Sequence, residues 1–370
     1  MAERTGDYEW LLEGEEAEIV LRAPDEVALE YSRLRSGLDA AARLPGVEGP
    51  VHAAASPYGS GWAASSSSHV APGLVSAPRA GLLLAADVPM ARLGVPPGEL
   101  PRLLARSLSE AAIPRLSESE LLSACESGAR WAAGEGLIEE EDLAVFGSPS
   151  GYGGDPDALG RRALAAGTGE WDPRPGGGAR IFEAREILDS QAAESLGVSG
   201  GSLLVAASAG AGELGRLALE GHRQRMISRE IGDGDRLVAA PRVMEEAADL
   251  LAATDAAFGY AQTRTALLIY ALRRALGEVS GGLTPVCVWN TGGFEERGDL
   301  MVHRRSLARL EEGEALLCGD VLALGAGAMQ QSAPPFGVEG GAEWPWEEAG
   351  LLKRVASLRE PGEREPGGRG

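Results

Sequence analysis

The sequence is poor in the residues that build metal centres and disulfide frameworks. Its 370 residues include only four histidines and three cysteines, Cys125, Cys287 and Cys318. The cysteines are odd in number and far apart, which excludes a disulfide framework and a Cys-x-x-Cys metal site among them. We therefore expect buried free thiols, and the scarcity of histidine limits every mechanism that needs several imidazole groups.

Long apolar runs are also missing. No uninterrupted apolar stretch approaches the ~20 residues of a membrane helix, and the first residues, MAERTGDYEW, are acidic without a signal-peptide core. The hydrophobic share of 44% over 370 residues is ample for a large buried core. We expect a soluble, cytoplasmic protein with no membrane partner.

Basic residues are outnumbered, with 34 Lys and Arg against 55 Asp and Glu and a formal net charge of −21. This charge repels polyanions at long range, whereas nucleic-acid-binding proteins usually present a basic face. The best local exception is one predicted helix with Arg216, Arg223, Arg225 and Arg229 around His222. Two interpretations stay open: a local basic groove, or an exposed helix face that balances nearby acids.

Glycine and proline are abundant, at 52 and 22 residues, which favours many turns and short elements in an α+β protein. Residues 25–44 and 244–276 carry apolar positions at helical spacing. Ser117 and Glu120 form a capping-box pattern that opens a helix ending near Gly134. The acidic run at 139–142 is predicted to be a solvated helix start.

The most informative segment is 176–229. Within it, residues 181–187 and 202–207 have the length and composition of strands, and SAGAG at 208–212 allows a sharp turn from strand into helix. Such a bend can bind an anion. It lacks the lysine of a P-loop and the glycine spacing of a dinucleotide-binding turn, so a packed bend is the simpler interpretation.

Three motifs resemble those of the RtcB family, RNA ligases that join a 3′-phosphate end to a 5′-hydroxyl end. GGGARIFE at 176–183 resembles Gly-Gly-Gly-Asn-His-Phe-x-Glu. SLLVAASAGAGELG at 202–215 resembles a strand that ends in His-Ser-Gly-Ser-Arg-Gly, and 285–306 resembles Val-x-x-His-Asn followed by Val-His-Arg-Lys-Gly-Ala. Residues 44–66 and 73–95 resemble scaffold segments of the same family.

The resemblance implies the fold and the domain organisation. It implies an α+β, RtcB-like fold in which mixed short strands are wrapped by helices. This domain would cover residues 25–337, after an N-terminal extension at 1–24. Residues 338–370 would be a truncated, degenerate and partly disordered C-terminal tail.

The family's metal-ligand positions carry residues that cannot bind a metal. They are Leu83, Ala86, Arg180, Ala207 and Trp289. An indole has no lone pair for a metal, and a guanidinium group is a permanent cation. No histidine follows His303, so the family's guanylylated histidine has no counterpart. We expect no catalytic residue, no metal site and no cofactor, although the family uses GTP and Mn²⁺ in tRNA splicing and RNA repair.

Five residues keep the residue type found in a motif of the family, where the first recognises guanine and the last belongs to a loop that contacts phosphates. They are Glu183, Asn290, Glu295, Arg304 and Gly325. We expect them to line any surviving nucleotide- or RNA-binding cleft. Three functions stay open, in this order: an inactive RtcB homologue with such a cleft, a structural or interaction protein on the same fold with an unidentified protein partner, and an active ligase with relocated residues.

Overall fold

The protein has an α+β architecture, as expected, built on one large sheet. The computed structural model describes residues 2–5, 9–22, 32–56, 59–89, 115–146, 154–168, 179–187, 199–232, 237–276, 282–308, 315–318, 321–325 and 352–359. The helices in these ranges are α1 (Ser32–Ala42), α2 (Glu118–Ser127), α3 (Ala129–Gly134), α4 (Arg161–Gly167), α5 (Gly212–Ser228) and α6 (Glu245–Leu276). Short 3₁₀ turns lie at Pro72–Leu74, Glu140–Val145 and Pro156–Leu159.

The strands come from both ends and the middle of the chain. They are β1 (Ala2–Arg4), β2 (Glu9–Leu12), β3 (Ile19–Arg22), β4 (Val51–Ser56), β5 (Gly59–Ser66), β6 (His69–Val70), β7 (Arg79–Pro89), β8 (Ala179–Ile187), β9 (Ser202–Gly210), β10 (Ala240–Pro241), β11 (Leu283–Arg297), β12 (Leu300–Ala308), β13 (Ala315–Cys318), β14 (Val321–Gly325) and β15 (Leu352–Arg359).

The main sheet has 13 strands in the order β1-β2-β3-β4-β5-β12-β11-β7-β9-β8-β15-β14-β13. Its neighbours are antiparallel except β3 and β4, which are parallel. Strands β6 and β10 form a separate antiparallel pair. Strands β1 to β3, from the expected N-terminal extension, and β15, from the expected tail, therefore pair within the same sheet as the central segments.

Helix α6 forms the centre of the core, as its nearly continuous apolar pattern predicts. Leu82 and Leu84 of β7 and Leu268, Ile269 and Leu272 of α6 are fully buried in one apolar cluster. Strand β7 supplies alternate residues to this cluster because successive side chains of a strand point to opposite faces. The helix thus covers one face of the sheet along its middle strands.

The predicted capping box is confirmed, but the helix it opens is interrupted. Ser117 Oγ accepts from the backbone N–H of Glu120 at 3.3 Å, and Glu120 Oε2 accepts from the N–H of Ser117 at 2.7 Å. Gly128, with φ of 59°, then separates α2 from α3. The left-handed backbone at Gly128 favours glycine, and a Cβ at this position would also lie 2.5 Å from Oε1 of the flexible Gln262 side chain on α6.

The acidic run at 139–142 was predicted to be solvated, and this is wrong for its last residue, Asp142. Asp142 is buried and accepts two hydrogen bonds from Arg273 of α6, at 2.5 and 2.8 Å. Arg273 also donates to the carbonyl oxygen of Leu283. Sequence spacing does not reveal this ion pair because its partners are distant along the chain.

Helix α6 approaches α2 closely at Gly259. A Cβ there would lie 2.2 Å from the carbonyl oxygen of Cys125. One turn on, the hydroxyl of Thr263 lies within hydrogen-bonding distance of the carbonyl oxygens of Ala124 and Gly128, at 3.2 and 3.0 Å. The absence of a side chain at 259 therefore sets how near the two helices lie.

We predict that Gly259→Ala lowers the free energy of unfolding by about 2 kcal/mol or more, because the new methyl group forces α2 and α6 apart. Gly221→Ala is the matched control, since nothing lies within 4 Å of a Cβ at that exposed position of α5. It should stabilise the protein by about 0.5–1 kcal/mol through helix propensity. Urea unfolding measures both, and an equal effect of the two changes would contradict this packing.

Candidate functional site

The positions at which the resemblance expects metal ligands lie on four consecutive strands, in the order β11-β7-β9-β8. One row of paired residues across these strands runs Trp289, Gly81, Ser208, Arg180. The next two rows contain Ala207 and then Leu83. We define the central patch as the four adjacent rows formed by residues 80–83, 179–183, 206–209 and 287–290.

The residue types of the central patch do not fit a Mn²⁺ or Zn²⁺ site. Such a site needs several converging oxygen, nitrogen or sulfur donors. The row that contains Glu183 also contains Cys287, but Leu83 and Ala206 stand between them on the two intervening strands. Ala86, three residues beyond Leu83, is fully buried in the apolar core. We derive no metal-dependent step at these positions.

The turn from β9 into α5 borders the central patch. Strand β9 continues to Gly210 and α5 begins at Gly212, so the predicted bend at 208–212 is shorter than expected and only Ala211 lies between the two elements. The N–H of Ala211 donates to the carbonyl oxygen of Pro78 at 2.8 Å, and Gly212 has a φ of 55°. The left-handed conformation at Gly212 is one that glycine adopts without strain.

Arg264 of α6 holds this turn through a hydrogen bond to its backbone. Its Nη1 donates to the carbonyl oxygen of Gly210 at 2.7 Å, and its guanidinium group lies 5.6 Å from the ring centre of Tyr260. Burial, together with the neighbouring positive charge of Arg79, lowers the pKa of Arg264 to about 10. Two arginines therefore lie together beside the N-terminal end of α5.

Glu295 and Arg304 are the two predicted cleft residues that the structure brings into contact. Arg304 donates from Nε to Glu295 Oε2 at 2.9 Å and also from Nη2 to the same oxygen. Arg297 donates from Nε to Oε1 of Glu295 at 2.9 Å. Both carboxylate oxygens are therefore engaged by arginines, and Arg304 is only 3% exposed.

The charge balance at Glu295 follows from these contacts. Burial alone would raise the pKa of Glu295, but the positive charges and hydrogen bonds of Arg304 and Arg297 outweigh it and lower the pKa. The carboxylate is thus ionised and held by protein groups. The sequence carried a signal for the second arginine, since Glu295 and Arg297 are two apart on a strand and share a face.

The other three predicted residues lie elsewhere on the sheet. Glu183 on β8 and Asn290 on β11 belong to the central patch, but β7 and β9 separate their strands. Glu295 is five residues beyond Asn290 on β11. Gly325 is on β14, which β15 separates from β8. The structure therefore pairs Glu295 with Arg304, brings Glu183 and Asn290 to one patch, and leaves Gly325 apart.

His303, next to Arg304 on β12, is completely buried. Its Nε2 accepts from the N–H of Ala71 at 3.0 Å, so Nδ1 carries the hydrogen and donates to the carbonyl oxygen of Met301 at 3.2 Å. The ring meets Phe294 edge to face, with centroids 5.1 Å apart. Burial lowers the pKa of His303 to about 4, so the imidazole is a neutral structural group.

The basic helix is an exposed face that balances acids, which was the second of the two interpretations. Each of its four arginines forms an ion pair. The pairs are Arg216 with Glu213, Arg223 with Glu220, Arg225 with Asp249 and Arg229 with Glu246. His222 is buried beneath them.

Comparison with protein-family models finds no matching family, and comparison with curated proteins finds no matching protein. Within the described ranges, no helix combines the length and the apolar character needed to cross a membrane. Those same ranges contain no group of three or more His, Cys, Asp or Glu side chains placed to hold one metal ion.

We predict that Glu295→Gln lowers the free energy of unfolding by about 3 kcal/mol, because it removes the carboxylate that neutralises two neighbouring arginines, one of them buried. Glu296→Gln is the matched control. Glu296 is exposed and pairs with Arg242, so its loss should cost at most about 1 kcal/mol. Chemical denaturation measures the free energy of unfolding of both variants. Equal losses would contradict the prediction that the ion pairs of Glu295 contribute more stability than that of Glu296.

We predict that stability falls as the pH drops below 6.5, because the folded pKa of His303, about 4, is lower than its ordinary value of 6.5. The unfolded chain therefore binds the proton more readily, and the loss from this residue reaches about 2 kcal/mol at pH 5. Burial also lowers the pKa of His69 and His222, which adds to the same trend. Unfolding free energies of the wild type and His303→Gln over this range isolate the contribution of His303. An unchanged pH slope in the variant would refute it.

Proposed function

We propose that the chain is a non-catalytic RtcB-like protein that binds a nucleotide or a phosphorylated RNA end without joining RNA. The resemblance of its motifs to the RtcB family is the basis of this proposal. The observation that carries it is the central patch, where four of the five positions that the resemblance expects to bind metal lie in three adjacent rows but carry aliphatic, aromatic or cationic residues; the four are Leu83, Arg180, Ala207 and Trp289.

The chemistry of the family requires groups that this sequence does not contain. A nucleophile must be present before any environment can activate it, and the family's guanylylated histidine has no counterpart after His303. Metal ions that orient a triphosphate need lone-pair donors, which Leu83, Ala86, Ala207 and Trp289 do not offer. Loss of both requirements favours binding over catalysis.

The support for binding is the positive region at one end of the central patch. Arg79 pairs in the row next to that of Asn290, opposite Gly210, and lies near Arg264. The N-terminus of α5 follows at once, and helix N-termini favour anions. The net charge of −21 opposes a long polyanion, so we propose weak, salt-sensitive binding of a single nucleotide or a short RNA end.

A second candidate is a structural or interaction protein on the same scaffold. It is favoured by Glu295, whose carboxylate is fully engaged by Arg297 and Arg304, and by the separation of Gly325 from the other predicted cleft residues. The two candidates differ in one measurable property, the binding of nucleotides and RNA ends.

We predict that purified protein incubated with labelled GTP and Mn²⁺ forms no covalent guanylate adduct and joins no 3′-phosphate RNA to a 5′-hydroxyl RNA. The reason is the missing nucleophile. Denaturing gels of the protein and of labelled RNA measure both reactions. Either product, at a level that a mock purification does not reproduce, would instead establish the third candidate, an active ligase with relocated residues.

Binding is tested separately by fluorescence polarisation with GMP and with a short 3′-phosphate RNA. The proposal expects binding that weakens with salt and that is reduced in Arg79→Gln but retained in Arg130→Gln, an exposed arginine of α3. No binding of either probe would overturn the binding proposal and leave the interaction protein.

A further inference from the structure

A cleft separate from the central patch lies between α4 and α5. Its volume is about 290 Å³, close to the lower end of the range for pockets that bind metabolites. Its walls are the end of the 3₁₀ turn at Pro156–Leu159, the first turn of α4 and one side of α5. None of the residues discussed for the central patch lines it.

The floor of this cleft is apolar and fixed. Leu159, Ala163 and Ala218 are at most 4% exposed and belong to one buried cluster with Leu121 and Leu214. Leu217, partly buried, packs against the same cluster and also lines the cleft. A ligand that entered would therefore meet a preformed aliphatic surface at the bottom.

The rim carries an excess of positive charge. Arg161, Arg162 and Arg225 line the cleft, with Glu220 as the one carboxylate among its lining residues. Glu220 is engaged by its own helix, since it accepts from Gln224 at 2.6 Å and lies 3.7 Å from Arg223. Because Arg225 is paired with Asp249, Arg161 and Arg162 supply the excess positive charge of the rim, which is the reverse of the acidic balance of the whole chain.

Two of the three arginines are available to a ligand. Arg225 is shared with Asp249, at 3.2 Å. Arg161 and Arg162 are exposed, and within the described ranges neither lies in an ion pair, although the positive charge of Arg162 contributes, after that of Arg216, to lowering the pKa of Glu213. A guanidinium group at the rim of a cleft can donate paired hydrogen bonds to the oxygens of a carboxylate or a phosphate.

His222 makes the wall rigid and uncharged. Its Nε2 lies 2.8 Å from the carbonyl oxygen of Ala158, so Nε2 carries the hydrogen and donates it. This bond ties α5 to the 3₁₀ turn across the cleft. Burial lowers the pKa of His222, so the ring stays neutral and the arginines supply the positive charge.

We propose that this cleft binds a small oxyanion, a carboxylate or phosphate group carried on a short apolar body. The apolar floor receives the body, and Arg161 and Arg162 receive the anionic group at the rim. The site is distinct from the proposed nucleotide site, because it is lined by other residues and, where both use α5, by another part of that helix.

The test uses three probes with the same apolar body, hexanoate, hexyl phosphate and hexanol, titrated into the full chain by calorimetry. We expect at least one anion to bind, hexanol to bind much more weakly, and the double variant Arg161→Gln/Arg162→Gln to lose about tenfold in affinity for the anion. The comparison of the two anions distinguishes carboxylate from phosphate recognition. Amide chemical shifts of α4 and α5 should move on binding.

The matched control is Arg35→Gln/Arg130→Gln, which removes the same charge from exposed positions on α1 and α3. It should leave the affinity unchanged, so that a loss in the first variant is local. The proposal is overturned if neither anion binds, if hexanol binds as tightly as the anions, or if both double variants bind like the wild type.

Discussion

The close contact of α6 with both the sheet and α2 is the constraint on which the other features depend. Helix α6 covers β7, β9 and β11 through aliphatic side chains, and it meets α2 where Gly259 carries no side chain. From this fixed position it presents Arg264 to the turn between β9 and α5, and Arg273 to Asp142. Arg264 thus holds a neighbouring backbone carbonyl in place, and Arg273 holds a buried carboxylate.

Most of the charged side chains discussed around the candidate site form ion pairs with other residues of the protein. Glu295 is held by two arginines, and the four arginines of α5 each meet an acid. Ion pairs of this kind satisfy the desolvated groups but leave little charge for a ligand. Arg161 and Arg162, which lie in no ion pair within the described ranges, line a cleft that none of the motifs indicated.

Local features were predictable from the sequence, whereas contacts between distant segments were not. The capping box at Ser117 and the apolar pattern of α6 depend on neighbours within one or two turns, so sequence spacing sufficed. The close approach of α6 to α2 depends on Gly259 facing the backbone of Cys125, and the burial of Asp142 depends on Arg273. Likewise, the cleft joins residues near 160 to residues near 220, and only the packing of α4 on α5 brings them together.

The strand order has a consequence for how the chain acquires its structure. Strand β5 forms a hairpin with β4, and its other edge pairs with β12. The hairpin is therefore joined to the rest of the sheet by a strand that lies more than 200 residues later in the chain. Until residues 300–308 have been synthesised, the edge of β5 lacks its final neighbour, and unpaired edges invite pairing with other chains. Such a long-range closure favours slow folding and protection by chaperones during synthesis.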